Sequence, residues 1–200
     1  MAARSGFNPT STKRKTATGR YAAALLESSP MVRRFASRLV DASAGLPILD
    51  VACGSGRNAM LLLRLGCTVI CVDKDLAGLQ ARRARLRRTL FSKASGQLVL
   101  QRLDLLKDPW PFGPCTVGGI LNIHYFAPAL FPLFASSLSP GGYLLLETFP
   151  GCGENYLDLP KAGEVRKALV NAFDLEVYKE GKAGPHGYDA VTVQTLARRR

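Results

Sequence analysis

The sequence predicts an α/β protein with a doubly wound, seven-stranded sheet and helices on both faces. Short apolar segments of strand length alternate with helical patterns along most of its 200 residues, which is typical of parallel strands joined by helices. A glycine-rich turn, 54–56, follows the first apolar segment. Only a glycine-rich loop separates the last two segments, 174–179 and 189–197, so these strands should pair antiparallel. We therefore expect a Rossmann-like sheet that is mostly parallel, with an antiparallel last strand.

The chain divides into a basic flexible arm, 1–20, and a single domain, 21–200. The arm holds five basic residues and no acidic one among many Ser and Thr residues, a composition typical of disorder. Organelle transit peptides have a similar composition, so a targeting segment is the alternative. The domain should open with a helix over 21–42 that Pro30 interrupts or restarts, since Ser29 suits an N-cap and proline suits the first turn.

The other elements follow from hydrophobic periodicity and from turn residues. Strands are predicted at 48–52, 67–73, 97–103, 116–123, 143–149, 174–179 and 189–197. Helices are predicted at 57–65, 76–91, 128–138 and 161–172, with loops at 110–114 and 139–142. The longest mostly apolar stretch, 126–146, is interrupted by prolines and glycines, so no membrane span is expected.

The formal net charge is +12, and the positive charge is clustered. The stretch 76–95 contains six basic residues and no acidic one, and the chain ends in three arginines, 198–200. Such a field attracts polyanions, so RNA is one candidate partner. A solvated helix face is the alternative, and the near absence of aromatic residues among these cations argues against base stacking.

The five cysteines indicate neither a disulfide framework nor a zinc site. A disulfide framework usually has an even number of cysteines, and a zinc site usually contains a Cys-x-x-Cys pair. Here the number is odd and no pair has that spacing. Cys67 and Cys71 lie in a predicted buried strand, where a reduced thiol acts as a small apolar residue. We expect reduced cysteines, no metal and a cytoplasmic location.

The segment 48–58, Ile-Leu-Asp-Val-Ala-Cys-Gly-Ser-Gly-Arg-Asn, carries the strongest functional signal. Its strand ends in the carboxylate of Asp50, and the glycines of the turn let backbone N–H groups approach a ligand. The helix behind the turn offers unpaired donors and a positive dipole end. The next strand ends in Asp73, a carboxylate suited to a ribose diol. These features predict a pocket for an adenosine-containing cofactor.

Two cofactors fit this pattern. Residues 54–59 satisfy G-x-G-x-x-A, which together with Asp73 matches a dinucleotide fingerprint. The alternative is S-adenosylmethionine (SAM), which three features favour. Asp50 would repel a pyrophosphate but attract the α-amino group of a methionine. Asp104, after the third strand, can accept a hydrogen bond from an adenine amino group, and the last strand is expected to be antiparallel.

Over about residues 46–198 the chain resembles the class I SAM-dependent methyltransferases. The resemblance is carried by the turn 50–56, Val72-Asp73, Leu103-Asp104-Leu105 and the Pro-Gly-Gly at 140–142. Ala52 departs from the family pattern, which has glycine at that position. The resemblance implies SAM as cofactor and the following binding residues: Asp50 for the methionine amino group, Ala52, Gly54, Ser55 and Gly56 along the methionine and ribose, Asp73 for the ribose hydroxyls, and Lys74, Asp104 and Leu105 at the adenine.

The stretch 120–153 is most similar to small single-domain bacterial methyltransferases that are often labelled tellurite-resistance-like. The shared features are an aromatic and His segment after the fourth strand and Glu-Thr-Phe, 147–149, at the end of the fifth. The substrates of this group are poorly defined. The acceptor is therefore left open between a small molecule, an RNA and a protein.

Methyl transfer requires an acceptor held in line with the methyl group and, for some acceptors, a base. His124 and Tyr125 are the candidate catalytic residues, and a role in the pocket wall is the alternative for both. Asn122 is expected to contact the cofactor or the acceptor. Because no catalytic residue is unambiguous, an inactive SAM- or RNA-binding scaffold remains an alternative. An NAD-linked oxidoreductase rests on the G-x-G-x-x-A match alone.

Overall fold

The computed structural model of the protein describes residues 27–86, 96–150 and 153–200. Three predicted segments lie wholly or partly outside these ranges: the arm 1–20, the start of the helix 21–42 and the end of the helix 76–91. None of the described helices is long and apolar enough to cross a bilayer.

Within these described ranges, seven strands form one sheet in the order β3-β2-β1-β4-β5-β7-β6. They are β1 Ile48–Val51, β2 Val69–Asp73, β3 Leu98–Arg102, β4 Val117–Ile123, β5 Leu138–Glu147, β6 Phe173–Ala183 and β7 Ala190–Arg199. The first five strands pair in parallel, and β7 runs antiparallel to both β5 and β6. The predicted fold class is confirmed. The structure adds that β7 lies between β5 and β6, so the last strand is not at the edge.

The described residues form five α-helices, of which the first precedes β1 and the others lie between strands. They are α1 Pro30–Ala42, α2 Arg57–Arg64, α3 Ala77–Leu86, α4 Phe131–Ser137 and α5 Glu164–Leu169, and short 3-10 turns lie at Pro128–Leu130 and Gly153–Asp158. As the sequence predicts, Ser29 caps α1 by accepting a hydrogen bond from the Met31 N–H, and Pro30 occupies the first turn.

The Ser-Pro-Gly-Gly segment, 139–142, is part of β5, whereas the sequence predicts a turn before this strand. Leu138 pairs with Val117 and Tyr143 pairs with Gly119, so four residues of β5 lie opposite one residue of β4. This arrangement is a β-bulge. A Cβ on Gly142 would lie 2.7 Å from a backbone oxygen of β4, so the close approach of the two strands requires glycine there.

Helices cover both faces of the sheet. One face packs against α1, α2 and α3 through buried residues that include Val32, Leu62 and Leu79. The opposite face packs against α4 and α5 through residues that include Phe134 and Leu169. All seven residues of β4 are buried. Ligands can therefore reach the sheet only at the loops along its edges, and in this architecture they bind at the carboxyl ends of the strands.

Candidate functional site

The turn after β1 passes through three residues in the left-handed backbone region. These are Ala52 (φ 53°), Gly54 (φ 51°) and Gly56 (φ 67°). Gly56 precedes α2, and a Cβ there would lie 2.2 Å from Cδ1 of Leu79, so any other residue would require both a left-handed backbone and a shift of Leu79. Ala52 adopts the same region with a side chain, a conformation that costs about 1–2 kcal/mol. The turn thus tightens enough to expose backbone N–H groups at the start of α2.

Asp50 lies behind this turn and is almost completely buried, with 1% exposure. Its carboxylate accepts a hydrogen bond from the backbone of Ala59, but Oδ2 has no partner among the described residues. Burial raises the pKa of Asp50 to about 7, with a smaller upward contribution from Asp73, and the nearby Arg57 guanidinium opposes this shift. An ammonium group could donate a charge-assisted hydrogen bond to this buried oxygen and so supply the partner that it lacks.

Asp73 ends β2 and faces the same turn. Its Oδ2 accepts a hydrogen bond from the Gly54 N–H at 2.8 Å, and Oδ1 accepts one from the Asp75 N–H at 3.0 Å. The backbone therefore fixes the orientation of this half-buried carboxylate at the mouth of the site.

A cavity of about 280 Å³ opens beside Asp73. It is lined by Ala52, Asp73, Lys74, Leu103, Asp104, Leu105, Leu106 and Tyr125. Loop contacts hold the Asp104 carboxylate: it accepts a hydrogen bond from the Leu106 N–H at 3.1 Å and lies 3.6 Å from Lys107 Nζ. The structure thus brings together the residues expected at the ribose and adenine. It also places Tyr125 here, beside Asp73 and Asp104, and burial raises the pKa of its phenol.

A second cavity, of about 290 Å³, lies on the other side of the end of β4. Its lining includes His124, Glu147, Phe149, Lys179 and Gln194. The two predicted catalytic residues therefore lie in different cavities, although they are adjacent in sequence. Asn122, at the end of β4, is fully buried, and neither polar atom of its amide has a partner in the described part of the chain.

His124 is held between a cation and a carboxylate. Its Nδ1 lies 3.0 Å from Nη2 of Arg57, and its Nε2 lies 3.9 Å from Oε2 of Glu147. Because a guanidinium can only donate, Nδ1 accepts and the ring proton resides on Nε2. Burial lowers the pKa of His124, Glu147 opposes this shift, and Arg57 adds to it. The backbone of His124 is also left-handed, with φ 60°, a type of strain that clusters at functional sites.

Glu147 links this cavity to α1 and β7. Its Oε1 accepts a hydrogen bond from Gln194 Nε2 at 2.8 Å, and its Oε2 accepts one from the Ser29 hydroxyl. The Ser29 N–H in turn donates to Oδ1 of Asn58 at 2.9 Å. Sequence reasoning missed Arg57, Gln194 and Ser29 as parts of the site. Arg57 had a signal, its place directly after the glycine turn, but Gln194 and Ser29 had none.

No protein-family model matches the chain, and no curated protein matches it in sequence. Solved structures do match it. A SAM-dependent methyltransferase from Methanosarcina mazei is 16% identical, with a TM-score of 0.61 over 87% of this chain and 99% of that one. Magnesium protoporphyrin IX methyltransferase from Synechocystis PCC 6803, with bound SAM, is 19% identical, with a TM-score of 0.60 over 92% of each chain.

This chain has the fold of the SAM-dependent methyltransferases. TehB from Haemophilus influenzae shares it, at 19% identity and a TM-score of 0.56, over 82% of this chain and 62% of TehB. The [4+2]-cyclase SpnF shares it too, at 14% identity and a TM-score of 0.58, over 83% of this chain and 80% of SpnF. Since this fold carries more than one chemistry, the activity must be argued from the residues of the site.

The lowered pKa of His124 predicts that this ring, taken by itself, destabilises the folded protein in weak acid. An unfolded chain protonates this ring near its ordinary pKa of 6.5, whereas the folded protein keeps it neutral to lower pH. As the pH falls through 6.5, the unfolded state binds more protons, so the free energy of unfolding decreases until the folded ring also titrates. The free energy of unfolding of the wild type minus that of His124→Gln should therefore decrease between about pH 7.5 and about pH 5, as urea unfolding measures it, because the opposite contribution of Asp50 is common to both proteins and cancels.

His186→Gln is the matched control, because His186 is the other histidine of the chain and lies exposed in the β6–β7 loop. This variant should show the same change in the free energy of unfolding between the two pH values as the wild type. An identical pH dependence in His124→Gln and the wild type would show that His124 does not titrate as described.

Proposed function

We propose that the protein is a SAM-dependent methyltransferase. The observation that carries this proposal is the buried, unpartnered Oδ2 of Asp50 directly behind the glycine turn. A methionine α-amino group would satisfy it, whereas the pyrophosphate of NAD would be repelled by it. The fold shared with solved methyltransferases adds support.

The residues of the first cavity fit the remaining parts of the cofactor. In this proposal Asp73 accepts hydrogen bonds from the ribose hydroxyls, and Lys74, Asp104 and Leu105 surround the adenine. The backbone of Ala52, Gly54, Ser55 and Gly56 lines the methionine and ribose, and the unpartnered Asn122 amide supplies a further contact. SAM would contribute an activated methyl group, leaving S-adenosylhomocysteine (SAH) as product.

The second cavity is the proposed acceptor site. His124, neutral and protonated on Nε2, would donate a hydrogen bond into this cavity. It becomes a proton acceptor only when Arg57 leaves Nδ1, so a base role for His124 requires that contact to open. Tyr125 lies in the first cavity, so we propose that it shapes the boundary between the two cavities.

Thermal unfolding with SAH, SAM, NAD and NADP in parallel tests the cofactor. At a ligand concentration 100 times its Kd, stabilisation is about 2.7 kcal/mol, which raises the Tm of a chain of this size by about 5 °C or more. We expect this shift with SAH and SAM only. A shift with NAD or NADP, or no shift with any ligand, would contradict the proposal.

Two alternatives remain distinguishable by experiment. A catalytically inactive SAM- or RNA-binding scaffold is favoured by the Arg57 contact, which covers the one lone pair of His124. Methyl transfer from labelled SAM to any RNA or small acceptor would exclude it. The NAD-linked oxidoreductase has only the G-x-G-x-x-A pattern in its favour. Membership of the tellurite-resistance-like group and a cytoplasmic location remain predictions.

The strained Ala52 provides a test of the proposed contact with the turn. Ala52→Gly should bind SAH as the wild type does, because glycine adopts the left-handed conformation readily and leaves the backbone of the turn in place. Its free energy of unfolding should also stay close to that of the wild type, since the relieved strain and the added unfolded-state entropy are each about 1 kcal/mol and oppose one another. Ala52→Val should weaken SAH binding at least about tenfold, since a β-branched side chain resists this conformation and narrows the cavity. Calorimetric titration of both variants measures the difference, and equal affinities would place the cofactor away from Ala52.

A further inference from the structure

An arginine-rich cleft lies beside the site, on the face of the sheet covered by α1, α2 and α3. Its volume is about 420 Å³. The lining residues are Glu27, Ser28, Arg33, Arg57, Met60, Leu61, Arg64 and Arg82. Each of the three helices contributes at least one arginine, and Glu27 is the one carboxylate among these described lining residues.

Two arginines of this cleft, Arg33 and Arg64, are poorly neutralised within the described residues. The Glu27 carboxylate lies 3.7 Å from Nη1 of Arg33, but its side chain is 75% exposed, so this pair is weak. Arg57 donates to a neutral imidazole rather than to an anion. Arg64 makes no hydrogen bond or ion pair within the described part of the chain. Several guanidinium groups that share one cleft repel one another, and a bound anion would relieve that repulsion.

The cleft is connected to both halves of the proposed site. Arg57 contacts Nδ1 of His124, which lines the proposed acceptor cavity. Arg82 lies 3.5 Å from the hydroxyl of Ser55 in the glycine turn. An anion bound among these arginines would therefore sit next to the place where the methyl group is transferred.

We infer that this cleft binds a phosphate group of the methyl acceptor, and that the substrate class is a phosphate ester. The inference rests on the methyltransferase function proposed above. Guanidinium forks match the oxygens of a phosphate in geometry and charge. The cleft is larger than one phosphate requires, so it accommodates the phosphate together with the group that carries it. The phosphate comes either from a small phosphorylated molecule or from an RNA backbone, and the probes below separate these two sources.

The test is titration of the full chain with inorganic pyrophosphate and with a labelled RNA oligonucleotide, each in the presence of SAH. The cleft variant is Arg33→Gln/Arg64→Gln. The charge-matched control is Lys167→Gln/Arg198→Gln: Lys167 lies exposed on α5, and Arg198 lies exposed on β7 at the opposite end of the sheet. We expect the cleft variant to weaken binding of pyrophosphate at least about tenfold and the control to leave it nearly unchanged.

The two probes identify the source of the phosphate. RNA that binds much more tightly than pyrophosphate, with the same loss in the cleft variant, assigns it to a nucleic acid. Tight pyrophosphate binding with no gain for RNA assigns it to a small acceptor. Equal losses in the cleft variant and the control, or no binding of either probe, would overturn the inference. Titration with SAH alone, without pyrophosphate or RNA, separates the two proposals. If the wild type does not bind SAH, the proposed methyltransferase function is contradicted, independently of what the cleft binds.

Loss of SAH binding in the cleft variant would also overturn the inference. That result would mean that the arginines hold the carboxylate of the cofactor rather than a phosphate of the acceptor. Circular dichroism and urea unfolding of both double variants confirm that they are folded before binding is compared.

Discussion

Asp50→Asn should weaken SAH binding at least about tenfold and, at the same time, make the ligand-free protein more stable above pH 7. The loss of binding follows because the proposed hydrogen bond to the methionine amino group is assisted by charge only when the carboxylate is present. Bonds of that kind contribute about 1.5–3 kcal/mol. The gain in stability has a different cause, the burial of the same carboxylate.

The sign of the stability change follows from the raised pKa of Asp50. In the unfolded chain the carboxyl ionises near its ordinary pKa of 3.8, whereas in the folded protein it holds its proton up to about pH 7. The folded state therefore binds more protons between these values, and the free energy of unfolding falls as the pH rises through them. Above pH 7, ionisation of the buried Asp50 carboxyl lowers the free energy of unfolding by its full amount, on the order of 4 kcal/mol at 1.36 kcal/mol for each pKa unit.

Asparagine removes this ionisation but leaves a buried amide N–H group that needs a partner. An unsatisfied group of that type costs about 1–3 kcal/mol, so we expect a net gain on the order of 1 kcal/mol at about pH 8. Urea unfolding at about pH 8 and about pH 5 measures the change. The advantage of the variant should shrink or disappear at the lower pH. A variant that is less stable at both pH values would show that ionisation of the buried Asp50 carboxyl does not destabilise the fold.

Asp174→Asn is the control for both effects. Asp174 is exposed on β6 and pairs with Arg200 at the surface, so its replacement should change the free energy of unfolding by less than about 0.5 kcal/mol. SAH binding should be unaffected.

Asp73→Ala should reduce SAH affinity by about 100-fold or more, because the variant cannot accept the two hydrogen bonds that we propose between the ribose and this carboxylate. The variant also leaves the Gly54 and Asp75 N–H groups without their acceptor, which should lower the free energy of unfolding by about 1–2 kcal/mol. Calorimetric titration with SAH measures the first effect and urea unfolding the second. If this variant binds SAH with wild-type affinity, Asp73 does not contact the cofactor and the proposed position of the pocket is wrong.

The neighbouring Asp75 separates binding from stability. Its carboxylate accepts a hydrogen bond from the Ala77 N–H at the start of α3, as an N-cap does. Asp75→Ala should therefore cost about 1 kcal/mol of stability, similar to Asp73→Ala, while SAH binding remains intact. If both variants lose SAH to the same extent, the loss reflects a disturbed loop rather than a missing ribose contact.

The strand ends of the candidate site could be predicted because parallel strands bring their carboxyl ends to one edge of the sheet. Asp50, Asp73 and Asp104 each follow an apolar segment, and the structure brings all three to that edge. The same logic placed His124 at the end of β4. It could not separate His124 from Tyr125, since the left-handed turn at His124 (φ 60°), after which the two residues line different cavities, has no local signal in the sequence.

The contacts around the second cavity, which we propose as the acceptor site, could not be predicted from local pattern. Glu147 receives hydrogen bonds from Ser29 and Gln194, which lie 118 and 47 residues away along the chain. Arg57 and His124 are 67 residues apart. Such pairs depend on how α1, α2 and β7 dock against the sheet, and no periodicity in a short segment carries that information.

By itself, the sequence determined the seven-stranded α/β fold, the antiparallel last strand, and the strand-end carboxylates and glycine turn of the candidate site. These depend on hydrophobic periodicity and on backbone conformation, which neighbouring residues control. Only the tertiary structure decided the insertion of β7 between β5 and β6, the separation of two cavities and the arginine cleft. It also decided the raised pKa of Asp50, because burial and the approach of charges from distant segments exist only once the chain has folded.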